Sequence, residues 1–256
     1  MQSHNFRVRS AIEGFDSGIR AVSSSHGSSL CLTNNPKATD GLRLDNLNER
    51  FVSHVVQLDA EVKTVSPQPL TIDLTTGAIV KTPEEKLELR QQLKRRGSQP
   101  NFYTPDFGLN WSCGDNALIE VKDERYPGDE DYQKKLGLAS RLLYEAGYEF
   151  LHIIVPSDLR HPLQINVPLL RMTHFRPEVE LPVDTMEHIA HLENTGAHTI
   201  GDFVKGLELD SRLSPYLVAR GYLAVDITAH VLNFAMPAVA AWGDLSHLSL
   251  TRKLAL

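Results

Sequence analysis

The sequence predicts an α/β fold: a mixed sheet with helices on both faces. Three observations carry that expectation. A helical apolar pattern over residues 46–59 precedes two strand-like runs near 101–109 and 116–121. A second amphipathic helix, over about 131–146, then leads into a continuous apolar strand, Phe150-Leu151-His152-Ile153-Ile154-Val155. The order helix, strands, helix, strand is that of a sheet sandwiched between helical layers. With 256 residues and 41% apolar content, the chain can bury a substantial core as one large domain or two small ones.

Each element has a local cause. Leu47, Phe51, Val55, Val56 and Leu58 recur at helical spacing, and Asp45 or Asn46 can cap that helix. Residues 61–74 read as a strand or hairpin arm, broken at Pro67 and Pro69. Lys81 to Gly97 is charged and helical, opened by Thr82-Pro83-Glu84-Glu85 and stopped by Gly97. The two following strands meet at a turn around Gly114-Asp115-Asn116. A polar loop, 123–130, then enters the second amphipathic helix, which Gly147 ends as a left-handed cap. Pro156 terminates the apolar strand.

Beyond Arg176-Pro177 the character changes. Short helices are expected at 184–192, at 199–205 between Thr199 and Gly206, and at 211–220. Tyr222–Val225 then reads as a short strand, and Asp226-Ile227-Thr228 as the start of another helix. Small helices with a short strand outline a winged-helix-like module. The organisation expected is therefore a flexible, Ser/Asn/Gly-rich segment at 1–40 that a partner orders, a main domain at 41–176 and a small helical domain at 177–256.

Composition excludes several classes. The net charge of −6 shows no global basic field, though a nuclease can concentrate positive charge locally. Cys31 and Cys113 match no zinc spacing and are read as reduced thiols of a cytoplasmic protein. No apolar run is long enough to span a membrane, and the N-terminus carries no signal-peptide pattern. There is no glycine-rich phosphate loop and no nucleophile elbow. His188, His191 and His198 lack a cysteine or carboxylate partner for a tetrahedral zinc set, so they are read as structural or surface groups.

The chemistry concentrates in Tyr103-Thr104-Pro105-Asp106-Phe107 and, fourteen residues after Asp106, Glu120-Val121-Lys122. Pro105 fits a strand entrance because it cannot donate to a ladder. Glu120 and Lys122, two apart on a strand, project to one face while Val121 points to the other. Asp106, Glu120 and the Val121 carbonyl are oxygen donors of the kind magnesium favours. Lys122 beside them could orient an attacking water. Glu49, next to the apolar stripe of its helix, is the candidate third acid. Lys86, Arg90, Lys94, Arg95 and Arg96 form the most basic stretch, with Lys134, Lys135 and Arg141 as further candidates for DNA phosphates.

Taken in order, these pieces resemble TnsA, the endonuclease subunit of heteromeric transposases, a PD-(D/E)xK nuclease. The resemblance spans about residues 42–156. It rests on Leu47-Asn48-Glu49-Arg50-Phe51, Leu58-Asp59-Ala60-Glu61-Val62, Pro67-Gln68-Pro69-Leu70, the two site motifs and the unit ending in Tyr148-Glu149-Phe150-Leu151-His152-Ile153-Ile154-Val155. The family's four catalytic positions fall on Glu49, Asp106, Glu120 and Lys122. The resemblance implies a restriction-endonuclease-like fold and magnesium-dependent cutting of double-stranded DNA at transposon ends, with manganese as a substitute ion. It implies a TnsB-like DDE transposase and a TnsC-like AAA+ regulator as partners, the regulator contacted through the C-terminal region. The charged helical segment at 81–97 departs from the family pattern by lengthening the gap before Asp106. Two other readings fit the same residues: a stand-alone restriction or repair nuclease, and a non-catalytic adaptor bridging transposase and regulator.

Overall fold

The computed structural model describes residues 31–39, 41–175 and 179–255. Most of the 1–40 segment and the expected boundary at residue 177 lie outside the described residues. In order, the elements are β1 (Cys31–Thr33), β2 (Leu42–Leu44), α1 (Leu47–Leu58), β3 (Val62–Pro67), β4 (Thr71–Asp73), β5 (Ile79–Val80), α2 (Pro83–Arg95), β6 (Phe102–Tyr103), β7 (Phe107–Trp111), β8 (Asn116–Asp123), α3 (Glu130–Glu145), β9 (Glu149–Val155) and α4 (Pro162–Arg171). Then follow α5 (Thr185–Asn194), α6 (Ile200–Gly206), α7 (Ser214–Ala219), β10 (Leu223–Ala224) and β11 (Val239–Ala240).

The central sheet has the order β3-β7-β8-β9 and is mixed. β7 is antiparallel to both neighbours, and β9 runs parallel to β8 because α3 carries the chain back across the sheet. Alternation along β8 gives the two faces different jobs. Ala117, Ile119 and Val121 join the cluster built with Val52 and Val55 of α1 and Leu163 and Val167 of α4. Leu118 instead joins Leu136, Ala139 and Leu143 of α3 on the other face. The result is a mixed α/β fold with its sheet flanked by helices.

A second sheet, β5-β4-β6, is antiparallel throughout. Two strands leave the central sheet for it at the same level. One crosses at Pro67-Gln68-Pro69, where Gln68 takes φ +42° and donates its amide to the Asp106 carbonyl at 2.9 Å. The other crosses at Thr104-Pro105, between β6 and β7. Glycine is required at 108, because a Cβ there would lie 2.7 Å from the Pro69 ring. The run expected as one strand over 101–109 is thus two strands in two sheets, and so is the arm over 61–74. Proline at each crossing removes the donor that would continue the ladder.

The helices begin and end for legible reasons. Asn46 caps α1 by accepting from the Glu49 amide, and Thr82 with Glu85 closes a capping box on α2. Asp129 caps α3, whose other end closes at Gly147 (φ +86°). Five elements went unread in the sequence: β1, which falls in the segment expected to be flexible, β2, β5, β11 and α4, the last with Pro168 inside it and Asn166 buried. The helix expected from Asp226 is instead a turn, in which the Asp226 carboxylate accepts from the Thr228 and Ala229 amides.

The elements beyond residue 179 share the α1–α4 core through Ile189, Ile200, Phe203, Leu217 and Leu223. Asn166 of α4 ties them down, donating to the carbonyls of Ile227 (2.8 Å) and His230 (2.7 Å) and accepting from the Leu232 amide. Near the C-terminus, Thr251 donates its amide to Asp59, and Arg252 stacks over buried Trp111 while bonding Glu149. Among the described residues no helix is long and apolar enough to cross a membrane.

Candidate active site

The crossing at Thr104-Pro105 builds the site. It ends the β7–β8 ladder just after the Asp106 amide reaches the Ile119 carbonyl at 2.9 Å. The following donor on that edge of β8, the Val121 amide, is taken by the Asp106 carboxylate, also at 2.9 Å. Asp106 therefore sits at the margin of the sheet, bonded in its plane, where both helical layers can reach it. With its amide on the Ile119 carbonyl and its carboxylate on the Val121 amide, Asp106 brackets Glu120 from the residue just before β7.

Glu120 and Lys122 project to the α3 face, as their spacing on a strand requires. Their side chains meet, Lys122 Nζ lying 2.9 Å from Glu120 Oε1. The same oxygen accepts from the Tyr132 hydroxyl of α3, and Oε2 accepts from the Tyr103 hydroxyl at 2.7 Å. Glu49 arrives from the first turn of α1, with its carboxylate bonded by the Asp45 amide and the Asn46 side chain, both at 2.8 Å. All three acids are buried, with 6%, 8% and 4% exposure for Glu49, Asp106 and Glu120.

Burial of like charges leaves a clear electrostatic mark. Burial itself, then the charges of Glu120 and Glu49, push the Asp106 carboxyl well above the usual carboxylate range. The Val121 amide and Lys122 oppose that shift without cancelling it. Burial and the Glu120 charge likewise push the Tyr103 phenol up, so it remains a hydrogen-bond donor.

Asp106, Glu120 and Lys122 thus come together as two neighbouring acids with a lysine, and Glu49 lies close enough for its charge to act on Asp106. Three buried acids against one ammonium, with the Val121 carbonyl on the strand between them, suit a hard divalent cation. Among the described residues, however, no three His, Cys, Asp or Glu side chains converge into a closed ligand set. The acids form a pair with a third member held on its own helix terminus.

The predicted phosphate-binding residues divide. Lys86 and Arg90 lie over the Phe102 ring at 5.5 and 5.7 Å, and Lys135 donates to the Phe102 carbonyl. These three cations gather around Phe102, the residue before Tyr103 on β6. Lys94 and Arg95 occupy the last turn of α2 and Arg96 its C-cap, where positive charge complements the helix dipole. Lys134 pairs with Glu130 at 2.8 Å on the exposed face of α3, an ordinary surface arrangement. Sequence reasoning did not single out Tyr132 or His152, which pairs with Glu120 across the parallel β8–β9 ladder. Tyr103 stood in the site motif with no role of its own. A tyrosine three residues before the aspartate was the one available signal.

No protein-family model matches the chain, and no curated protein matches it.

Proposed function

We propose that the protein is a divalent-metal-dependent DNA endonuclease of the TnsA kind, the strand-cutting subunit of a heteromeric transposase. One observation carries this reading: Asp106 and Glu120 are both buried, Asp106 bonds to the residues on either side of Glu120, and Lys122 bonds to Glu120. Structural ion pairs rarely bury two acids side by side, because the second charge costs more than one lysine returns. Such a cost is characteristic of functional sites. On this reading the fold is restriction-endonuclease-like, and the small helices with the β10–β11 ribbon form a winged-helix-like module.

Asp106, Glu120 and the Val121 carbonyl would hold magnesium, or manganese in its place, with Glu49 completing the set. The bound ion supplies Lewis-acid polarisation of the phosphate and an acidified water. Lys122 orients that water and stabilises the charge developing on phosphate. Lys86, Arg90 and Lys135 hold the DNA backbone beside the acids, and Lys94, Arg95, Arg96 and Lys134 extend the positive surface. The substrate is double-stranded DNA at a transposon end, cut together with a TnsB-like DDE transposase under a TnsC-like AAA+ regulator.

A second reading, a non-catalytic adaptor on the same scaffold, draws on the protein donors already bonded to both Glu120 oxygens. Magnesium-dependent nicking of end-containing DNA, assayed with the partner transposase, separates the two. Nicking by the wild type that Glu120→Ala abolishes supports the nuclease. No scission by either protein, with partner binding intact, supports the adaptor.

A further inference from the structure

Glu120 is held unusually fully for a proposed metal ligand. Its Oε1 accepts from both Lys122 Nζ and the Tyr132 hydroxyl, while Oε2 accepts from Tyr103 alone among the described residues. A carboxylate oxygen offers two lone-pair directions. Oε1 is therefore full and Oε2 retains one. Tyr132 is itself fixed from two sides. Lys122 Nζ lies 4.5 Å from its ring centroid, and Gly128 (φ +97°) packs so closely that a Cβ there would lie 2.3 Å from the ring. The loop preceding α3 thus presses the Tyr132 ring into place against the acid.

We propose that Tyr132 is a positioning residue acting as a latch on Glu120: together with Lys122 it caps Oε1, so that a cation engaging both Glu120 oxygens must displace the Tyr132 hydroxyl. The inference rests on the reading of Asp106 and Glu120 as cation ligands. It assigns the start of α3 and its loop a regulatory part, since moving Tyr132 away opens the second oxygen. Tyr103, within β6 and buried, is the fixed half of the clamp.

Calorimetric titration of the full chain with Mn²⁺, comparing wild type, Tyr132→Phe and Asp106→Asn, tests this. Removing the hydroxyl frees an oxygen from a charge-assisted bond, so Tyr132→Phe should bind Mn²⁺ about tenfold more tightly. A role in packing alone would lower the melting temperature and leave the affinity unchanged, which would overturn the latch. Equal binding by wild type and Asp106→Asn, or none by wild type, would overturn the cation reading and the latch with it. That failure is recognised by the Asp106 control. A wild-type readout guards against a Tyr132→Phe protein that does not fold: adding Mn²⁺ should perturb the tyrosine ultraviolet spectrum as the hydroxyl changes partner. A silent spectrum at saturating Mn²⁺ would contradict displacement.

Discussion

Asp106→Asn should stabilise the metal-free protein near neutral pH, although it removes a residue at the centre of the proposed site. Asp106 bonds to both neighbours of Glu120 on β8, and side chains adjacent across neighbouring strands are roughly 5 Å apart. Two like charges at ~5 Å repel by about 3 kcal/mol at an effective dielectric of ~20. Lys122, bonded to Glu120, offsets part of this, leaving a net gain of about 1–2 kcal/mol on neutralising Asp106. Asparagine can still accept the Val121 amide through its own carbonyl oxygen, so the sheet edge is kept. At ~2–4 °C per kcal/mol for a chain of this size, the melting temperature should rise by about 2–8 °C.

The pH dependence follows from the direction of the Asp106 shift. Its folded-state pKa lies above the unfolded value, so the stabilisation from the protonated form is complete below the unfolded value of about 4. It is lost as pH rises through the folded pKa. The advantage of Asp106→Asn should therefore vanish near pH 4 and be full above the folded pKa. Thermal unfolding with a chelator present, across pH, measures it. A variant less stable than wild type above neutrality would refute the claim that these buried charges strain the fold. Added Mg²⁺ should raise the melting temperature of wild type and leave Asp106→Asn largely unmoved, since the ion relieves the same repulsion.

Other outcomes can be checked alongside. Glu120→Gln should lower nicking by roughly a hundredfold or more while circular dichroism stays native, because the backbone pairing of β8 is untouched. Asn166→Ala should cost about 2–4 kcal/mol in chemical denaturation, since it strands two carbonyls and an amide of the C-terminal region. Thr82→Ala should cost about 1 kcal/mol by opening the capping box of α2, with the loss confined in hydrogen exchange to that helix. Lys86→Ala with Arg90→Ala should weaken duplex binding at low salt and reduce the salt-dependence slope by up to about 2, whatever the DNA sequence.

Much of the site could be read before any coordinates because its parts are local. The two-residue spacing puts Glu120 and Lys122 on one strand face, and the helical spacing of Leu47, Phe51, Val55, Val56 and Leu58 after a cap at Asp45 or Asn46 marks α1. What stayed hidden depends on long-range pairing. Phe102-Tyr103 and Phe107–Trp111 carry the same strand character, and only their partners, β4 for one and β3 for the other, assign them to different sheets. α4 was obscured because Pro168 interrupts it and its buried Asn166 serves carbonyls more than sixty residues away. Tyr132 lies in a polar first turn, and nothing local indicates that its hydroxyl meets Glu120. Asp226 has the chemistry of a helix cap but closes only a turn, since a capping residue cannot supply the apolar face a helix needs.

Anomalous diffraction from crystals soaked in Mn²⁺ bears most directly on the whole account. It predicts a single strong peak between the carboxylates of Asp106 and Glu120, adjoining the Val121 carbonyl, with Lys122 at its flank. A peak elsewhere, or none while both carboxylates keep only their protein partners, would contradict it.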